Sequence, residues 1–229
     1  MDKKHRYRER KYLIEGEKLV REAIRFGQKI ECIFCSEQSP FAAEELGFPV
    51  YAASDNVLKS LSDAVTPQGV TAVLAMPPTA NAPPRGKCLV LDNIQDPGNL
   101  GAIIRTAAAT GYADVYLANC ADPYSPKVVR SAMSAHFAVN IYQGTLEEIF
   151  ALVKQRCQIV CADMGGQNVF GVRVEPAHAL VIGNEGSGLS AFSLRQADVT
   201  VSLPMKNNFE SLNAAVSAGV LMYQLGKEE

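Results

Sequence analysis

The sequence predicts an α/β protein whose larger part is a parallel sheet covered by helices on both faces, and three observations predict it. From residue 88 onward, short apolar runs such as CLVLDN (88–93), DVYLAN (114–119), QIVCAD (158–163) and ALVIGN (179–184) recur. Apolar residues at successive positions are what a strand buried on two faces requires. Helical patterns separate most of these runs, as parallel connections demand. Glycines, prolines and carboxamides gather just after several of them, where such sheets bind ligands.

A smaller α/β unit is expected ahead of this, over residues 1–77. Residues 12–26 have helical periodicity in Leu13, Leu19, Val20, Ala23 and Ile24. Residues 30–37 and 48–54 read as strands with a short helix between, 56–63 as a helix and 69–76 as a strand. The stretch MPPTANAPPRGK (76–87) holds four prolines and a glycine, so 78–86 is expected to be a linker and 87–229 a second domain. In that domain strands are expected at 88–93, 114–119, 137–143, 158–163, 179–184 and 199–204. Helices are expected at 101–111, 125–135, 145–156, 189–197 and 210–226.

The net charge of −2 hides an uneven distribution. In the first eleven residues Lys3, Lys4, Arg6, Arg8, Arg10 and Lys11 face only Asp2 and Glu9, a local +4 that leaves −6 for the rest. A basic segment carrying Tyr7 suits a nucleic-acid backbone, though a solvated helix start has the same composition. No apolar run follows the basic segment as a signal peptide would require, and none approaches the length of a membrane span, so a cytoplasmic protein is expected. Six cysteines lack the spacing of a disulfide framework. Cys32 and Cys35 form a lone CxxC, and neither Cys157 and Cys161 nor His5, His136 and His178 complete a zinc set, so free thiols and no metal are expected.

Three loops carry the chemistry. In DNIQDPGNLGAIIRTA (92–107), Pro97 and Gly98 suggest a turn and Asn99 a cap for the helix that holds Arg105. In GNEGSGLS (183–190) the glycines are spaced GxxGxG, no Lys-Ser/Thr follows, and Glu185 would repel an anion, so a phosphate cradle is disfavoured. Ser187 is not in a nucleophile elbow, because Glu185 stands where glycine is needed. In LPMKNNFESLNAA (203–215), Pro204 and Met205 end a strand while Ser211, Leu212 and Asn213 open a helix. Glycines, backbone groups, Met and Leu suit a neutral flat aromatic such as adenine better than a triphosphate. A nucleotide-dependent oxidoreductase is disfavoured by the same glycine spacing and by the lack of a ribose-binding acid.

In order and spacing the three loops resemble the signature motifs of the SpoU/TrmH family of SPOUT RNA methyltransferases: DPGNLGAIIRTA, VIGNEGSGLS and LPMKNNFESLNAA. EGEKLVREAI and TPQGVTAV resemble that family's ribosomal-protein-like substrate-binding domain. The resemblance implies a deep C-terminal trefoil knot and a homodimer with the knot region and last helix at its interface. It implies S-adenosylmethionine held by Ile182, Gly183, Asn184, Gly186, Leu203, Pro204, Met205 and Leu212. It places Asn99, Arg105, Glu185, Ser211 and Asn213 on the reactive side. Asn207 stands where many relatives carry glycine, and asparagine is the residue that best tolerates φ > 0 after glycine.

The activity implied is methyl transfer to a ribose 2′-hydroxyl of structured RNA, large-subunit rRNA ahead of tRNA. A non-catalytic RNA-binding or assembly factor of the same fold is the alternative from another class. The family's mechanism makes the arginine, here Arg105, the base. A guanidinium stays protonated, with pKa above roughly 12, so Arg105 is expected to grip an RNA phosphate and polarise the 2′-oxygen while phosphate or water takes the proton.

Overall fold

Residues 12–26 hold one element more than their helical periodicity predicts. The computed structural model, which describes residues 2–63, 66–78, 80–207 and 211–227, places strand β1 (Lys11–Glu15) there, ahead of a helix. In β1 Tyr12 and Ile14 point into the core at 1% exposure each, a period of two that the apolar residues after it mask in a longer window. Gly16, at φ 99°, separates the strand from helix α2 (Glu17–Arg25). Before β1, the basic run forms α1 (Lys3–Glu9), whose cap Asp2 accepts the His5 backbone N–H at 2.8 Å.

The unit continues through β2 (Ile30–Cys35), a 3-10 turn (Pro40–Ala43), β3 (Val50–Ala52), α3 (Asp55–Leu61) and β4 (Val70–Ala75). Its sheet has the order β1-β4-β2-β3 and is antiparallel except between β2 and β3. Leu19, Val20 and Ala23 of α2 pack with Ile33, Ala72 and Leu74 from the sheet. Residues 78–86 contain no helix or strand among those described, Thr79 lying outside them. They are nonetheless strapped to the second domain: Tyr116 Oη donates to the Ala82 carbonyl at 2.6 Å, and the Arg85 N–H to Asp114 at 3.0 Å.

The second domain runs β5 (Cys88–Asp92), α4 (Pro97–Thr110), β6 (Asp114–Ala118), α5 (Pro126–Ala132), β7 (Asn140–Gln143) and α6 (Leu146–Val153). Then come β8 (Gln158–Asn168), β9 (His178–Ile182), α7 (Ala191–Arg195), β10 (Val199–Ser202) and α8 (Ala214–Leu225). Where a strand was expected from residue 137, a 3-10 turn (Met133–Phe137) intervenes and β7 starts three residues later. The last helix begins at Ala214 and not at residue 210, because Asn213 caps it; Glu210 lies outside the described residues.

These strands form a parallel sheet in the order β10-β8-β9-β5-β6-β7. Leu89, Leu91, Val115, Leu117, Leu180 and Ile182 turn toward α4, α5 and α8, while Val90, Tyr116, Ala179 and Val181 turn toward the Ile149 and Phe150 side chains of α6. Both faces are therefore covered. From β5 the chain winds one way to β6, and from β9 it winds the other way to β10. The adjacent C-terminal ends of β5 and β9 thus make the switch point at which such sheets open a crevice.

α1 clamps the two domains together. Arg6 is 6% exposed and its guanidinium pairs with Asp122, which also accepts from Tyr7 Oη at 3.0 Å. Tyr7 Oη and the Gln143 side chain are hydrogen-bonded as well, and the Tyr12 ring lies 5.1 Å from that of Tyr124. His136 closes the cluster, 5.2 Å from Tyr124, with Nε2 donating to the Pro123 carbonyl at 2.9 Å. Burial pushes this imidazole down to about 4, so it is neutral near pH 7. Part of the sequence's basic run, Arg6 above all, is therefore structural. Removing one partner from a buried ion pair strands the other, at a cost of about 3–5 kcal/mol. Arg6→Ala should lower the unfolding free energy by that order in denaturant titration, whereas Lys4→Ala, on the exposed side of α1, should leave it unchanged.

Candidate active site

The loop 183–190 uses its own amides. Asn184 and Gly188 exchange backbone hydrogen bonds of 3.0 and 2.9 Å, and Asn184 Oδ1 accepts from the Gly186 and Ser187 N–H groups at 2.9 and 3.1 Å. The donors that a phosphate cradle needs are already engaged. Asn184 Nδ2 then donates to the Asn93 carbonyl at 3.0 Å, tying this loop to the end of β5. Gly183 permits the tight closure: a Cβ there would meet the Gly188 carbonyl at 2.4 Å.

A second tie comes from Asp92, a carboxylate 4% exposed at the end of β5. Its Oδ2 accepts from the Ser190 N–H at 3.0 Å and from Ser193 Oγ at 2.7 Å, anchoring the start of α7. The sequence reading missed Asp92, although a carboxylate ending an otherwise apolar strand was a legible signal. It also misplaced a cap. Asp96, not Asn99, caps α4 and accepts the Asn99 N–H at 2.8 Å, with Pro97 and Gly98 inside the first helical turn. Proline at the first helical position needs no N–H partner, which is why the helix starts earlier than the turn reading allows.

Freed from capping, the Asn99 side chain joins the three loops. Asn213 Oδ1 accepts the Ala215 and Val216 N–H groups at 2.9 and 3.3 Å as the cap of α8. That leaves only its Nδ2 to face Asn99, and it donates to Asn99 Oδ1 at 3.0 Å. Asn99 Nδ2 must then point the other way, and it donates to Glu185. The direction of both carboxamides follows from the helix cap.

Among the described residues, the other expected side chains do not join this hydrogen-bonded link. Ile182 ends β9, buried; Leu203 packs on the core, while Met205 and Leu212 are 36% and 42% exposed and carry apolar surface that no core covers. Pro204 and Ser211 lie in the same loop, outside helix and strand. Asn207 adopts φ 58°, the left-handed conformation that asparagine tolerates best after glycine. One irregularity of β8 lies outside the sequence expectation. Between Cys161, paired with Thr200, and Gln167, paired with Val201, β8 makes a five-residue excursion at the ligand end of the sheet, with Met164 73% exposed. Arg105 is exposed on α4 and lies six residues, about 9 Å of helix rise, beyond Asn99 on a different side. The structure does not bring it to the other polar groups within one chain. Among the described residues no cluster of His, Cys, Asp and Glu is arranged for a metal, and burial pushes the Cys120 and Cys161 thiols up to about 12.

Aspartate caps a helix as well as asparagine does but cannot donate. Asn213→Asp should therefore keep the thermal midpoint of the protein while breaking the link to Glu185. Loss of one hydrogen bond, about 1 kcal/mol, predicts amide exchange about fivefold faster in residues 184–188. Unchanged exchange there would show that the loops are held by other means.

The chain matches the SpoU rRNA Methylase family over residues 86–223 and the MRM3-like substrate binding domain over residues 1–72. It is 34% identical over 227 residues to the 23S rRNA (guanosine(2553)-2′-O)-methyltransferase RlmP of Bacillus subtilis, covering 97% of this chain and 91% of that one. Among solved structures, the SpoU methyltransferase AviRb from Streptomyces viridochromogenes in complex with the cofactor AdoMet superposes with a TM-score of 0.88 at 27% identity, over 98% of this chain and 92% of that one. The AdoMet-bound rRNA methyltransferase from Sinorhizobium meliloti gives 0.87 at 28%, over 97% and 89%. Motif loops, sheet order and an N-terminal domain shared over almost the full length lead to one conclusion: the chain belongs to the SpoU rRNA methylase family.

Proposed function

We propose that this protein transfers a methyl group from S-adenosylmethionine to a ribose 2′-hydroxyl in structured RNA, with large-subunit rRNA as the substrate class. The observation that carries the reading is the meeting of three loops at the β5/β9 switch point through Asn99, Glu185 and Asn213. The names of the relatives point to 23S rRNA, and the matched N-terminal domain favours an rRNA over a tRNA.

The residues present fit the cofactor. Loop 183–190 has used its amides internally and offers no anion cradle, while Met205 and Leu212, in the loop after β10, leave apolar surface uncovered. That donor set suits an uncharged adenosine, held by Ile182 to Gly186 on one side and by Leu203, Pro204, Met205 and Leu212 on the other. The bound sulfonium supplies an activated methyl whose leaving group is a neutral thioether, so no metal is required. Glu185, fixed by Asn99, keeps its second oxygen free to accept from the ribose or the cofactor's polar end. Arg105 would hold an RNA phosphate through paired N–H bonds and polarise the 2′-oxygen, with phosphate or water taking the proton.

A homodimer belongs to the same reading. Val216, Val220 and Tyr223 form an exposed stripe along α8, 36–60% exposed, and with Phe170 and Thr106 they line one open groove. Thr106 adjoins Arg105, so a second copy seated there would bring Arg105 to the subunit boundary. We also propose the knotted path of the family, supported by the return of the chain at Asn213 to the loops it left, and a cytoplasmic site of action, where ribosomes are made.

Calorimetry with S-adenosylmethionine separates this reading from a non-catalytic RNA-binding factor, which would bind none. Arg105→Ala should retain cofactor affinity and lose methyl transfer to protein-free large-subunit rRNA; near-normal turnover would sink the role given to Arg105.

A further inference from the structure

The surface between the docked N-terminal domain and the candidate active site is made by α5, and its outer side is basic. Lys127 and Arg130 are both exposed, while Val128, Val129 and Ala132 turn inward. Residues three apart share one side of a helix. At one end, Lys127 Nζ lies 3.7 Å from Asp96 Oδ2 between two exposed side chains, a loosely held pair. Asp96 is the cap that accepts the Asn99 N–H, so this ammonium stands beside the reactive loop.

At the other end, Arg130 lines the crevice between domains together with Leu13, Glu15 and Thr71 of the N-terminal sheet. It forms no ion pair among the described residues. The acidic groups of that crevice are Glu15 and Asp63, and the Glu15 carboxylate already accepts from Ser62 Oγ at 2.7 Å and from the Gln68 N–H at 3.0 Å. The helix itself is pinned in place. Ser131 Oγ donates to the Gly98 carbonyl at 3.1 Å, and α4 passes so close that a Cβ on Gly101 would meet Ser131 Cβ at 2.4 Å.

We infer that Lys127 and Arg130 form a phosphate-binding step on which the RNA backbone crosses from the substrate domain to the reactive loops. The inference rests on the proposed RNA substrate and adds a site to it. Two exposed cations on one rigid helix, in a protein whose charge outside its first eleven residues is −6, are a local feature and not general basicity. Each neutralised phosphate releases counterions, and arginine can take a phosphate with two N–H groups. Lys154 and Arg156 provide the comparison. They are equally exposed but lie between α6 and β8, at the opposite end of the strands from the site.

The test uses the full chain and fluorescently labelled, protein-free fragments of large-subunit rRNA, with binding measured across a salt series from about 50 to 200 mM. Lys127→Gln/Arg130→Gln should weaken binding about tenfold at low salt and flatten the plot of log K against log salt by about 1.4, the value for two single-strand phosphates. Its thermal midpoint and S-adenosylmethionine affinity should match the unaltered protein. Lys154→Gln/Arg156→Gln should keep the original slope. An unchanged slope in the α5 variant, or an equal loss in the comparison variant, overturns the inference and leaves the RNA substrate standing. Absence of salt-dependent RNA binding by the unaltered protein removes both.

Discussion

Two hydrogen bonds, Asn213 to Asn99 and Asn99 to Glu185, hold together residues that lie 114 and 86 positions apart in the chain. Neither bond is strong alone, since a net hydrogen bond is worth about 1 kcal/mol. Their weight comes from order. Because the cap of α8 fixes which way the first carboxamide points, it fixes the second, and so selects the group presented to Glu185. The last helix of the fold therefore sets the polarity of a site assembled from loops far upstream.

The sheet makes this meeting possible. Strands β5 and β9 are neighbours whose connections leave in opposite directions, so their C-terminal loops face each other across a gap that no crossover fills. Asp92 and Asn93 at the end of β5 bind the loop after β9 from two sides. The Arg6–Asp122 clamp acts on a larger scale, seating the N-terminal domain at the strand ends of β6 and β7, on the same side as the three motif loops. Under the proposed function, an RNA held by that domain would be presented to the site across a packed joint and not by a tether.

Much of this was legible in the sequence. Strands buried on both faces announce themselves as unbroken apolar runs, and β5, β6 and β9 fall where those runs lie. The loop 183–190 could be denied a phosphate from its spacing and Glu185 alone, and its internal hydrogen bonds agree. What was not legible depends on partners distant in sequence. Tyr12 and Ile14 carry a two-residue period too short to stand out beside an amphipathic helix. Asn99 and Asp96 are equally good caps on paper, and only the proline between them, read as N1 and not as a turn, favours Asp96. The excursion of β8 at residues 162–166 has no marker beyond paired glycines, and no pattern in a single chain assigns Arg105 its neighbours.

Under the proposed function, these loops direct a methyl group to a ribose oxygen and not to a base. Incubation of the protein with protein-free large-subunit rRNA and S-adenosylmethionine labelled in its methyl group, followed by alkaline hydrolysis, tests it directly. A 2′-O-methyl group removes the hydroxyl that attacks the adjacent phosphate, so the label should be recovered in alkali-resistant dinucleotides. Label recovered in mononucleotides would mean base methylation and would contradict the account, as would the absence of transfer by a protein shown to bind the cofactor.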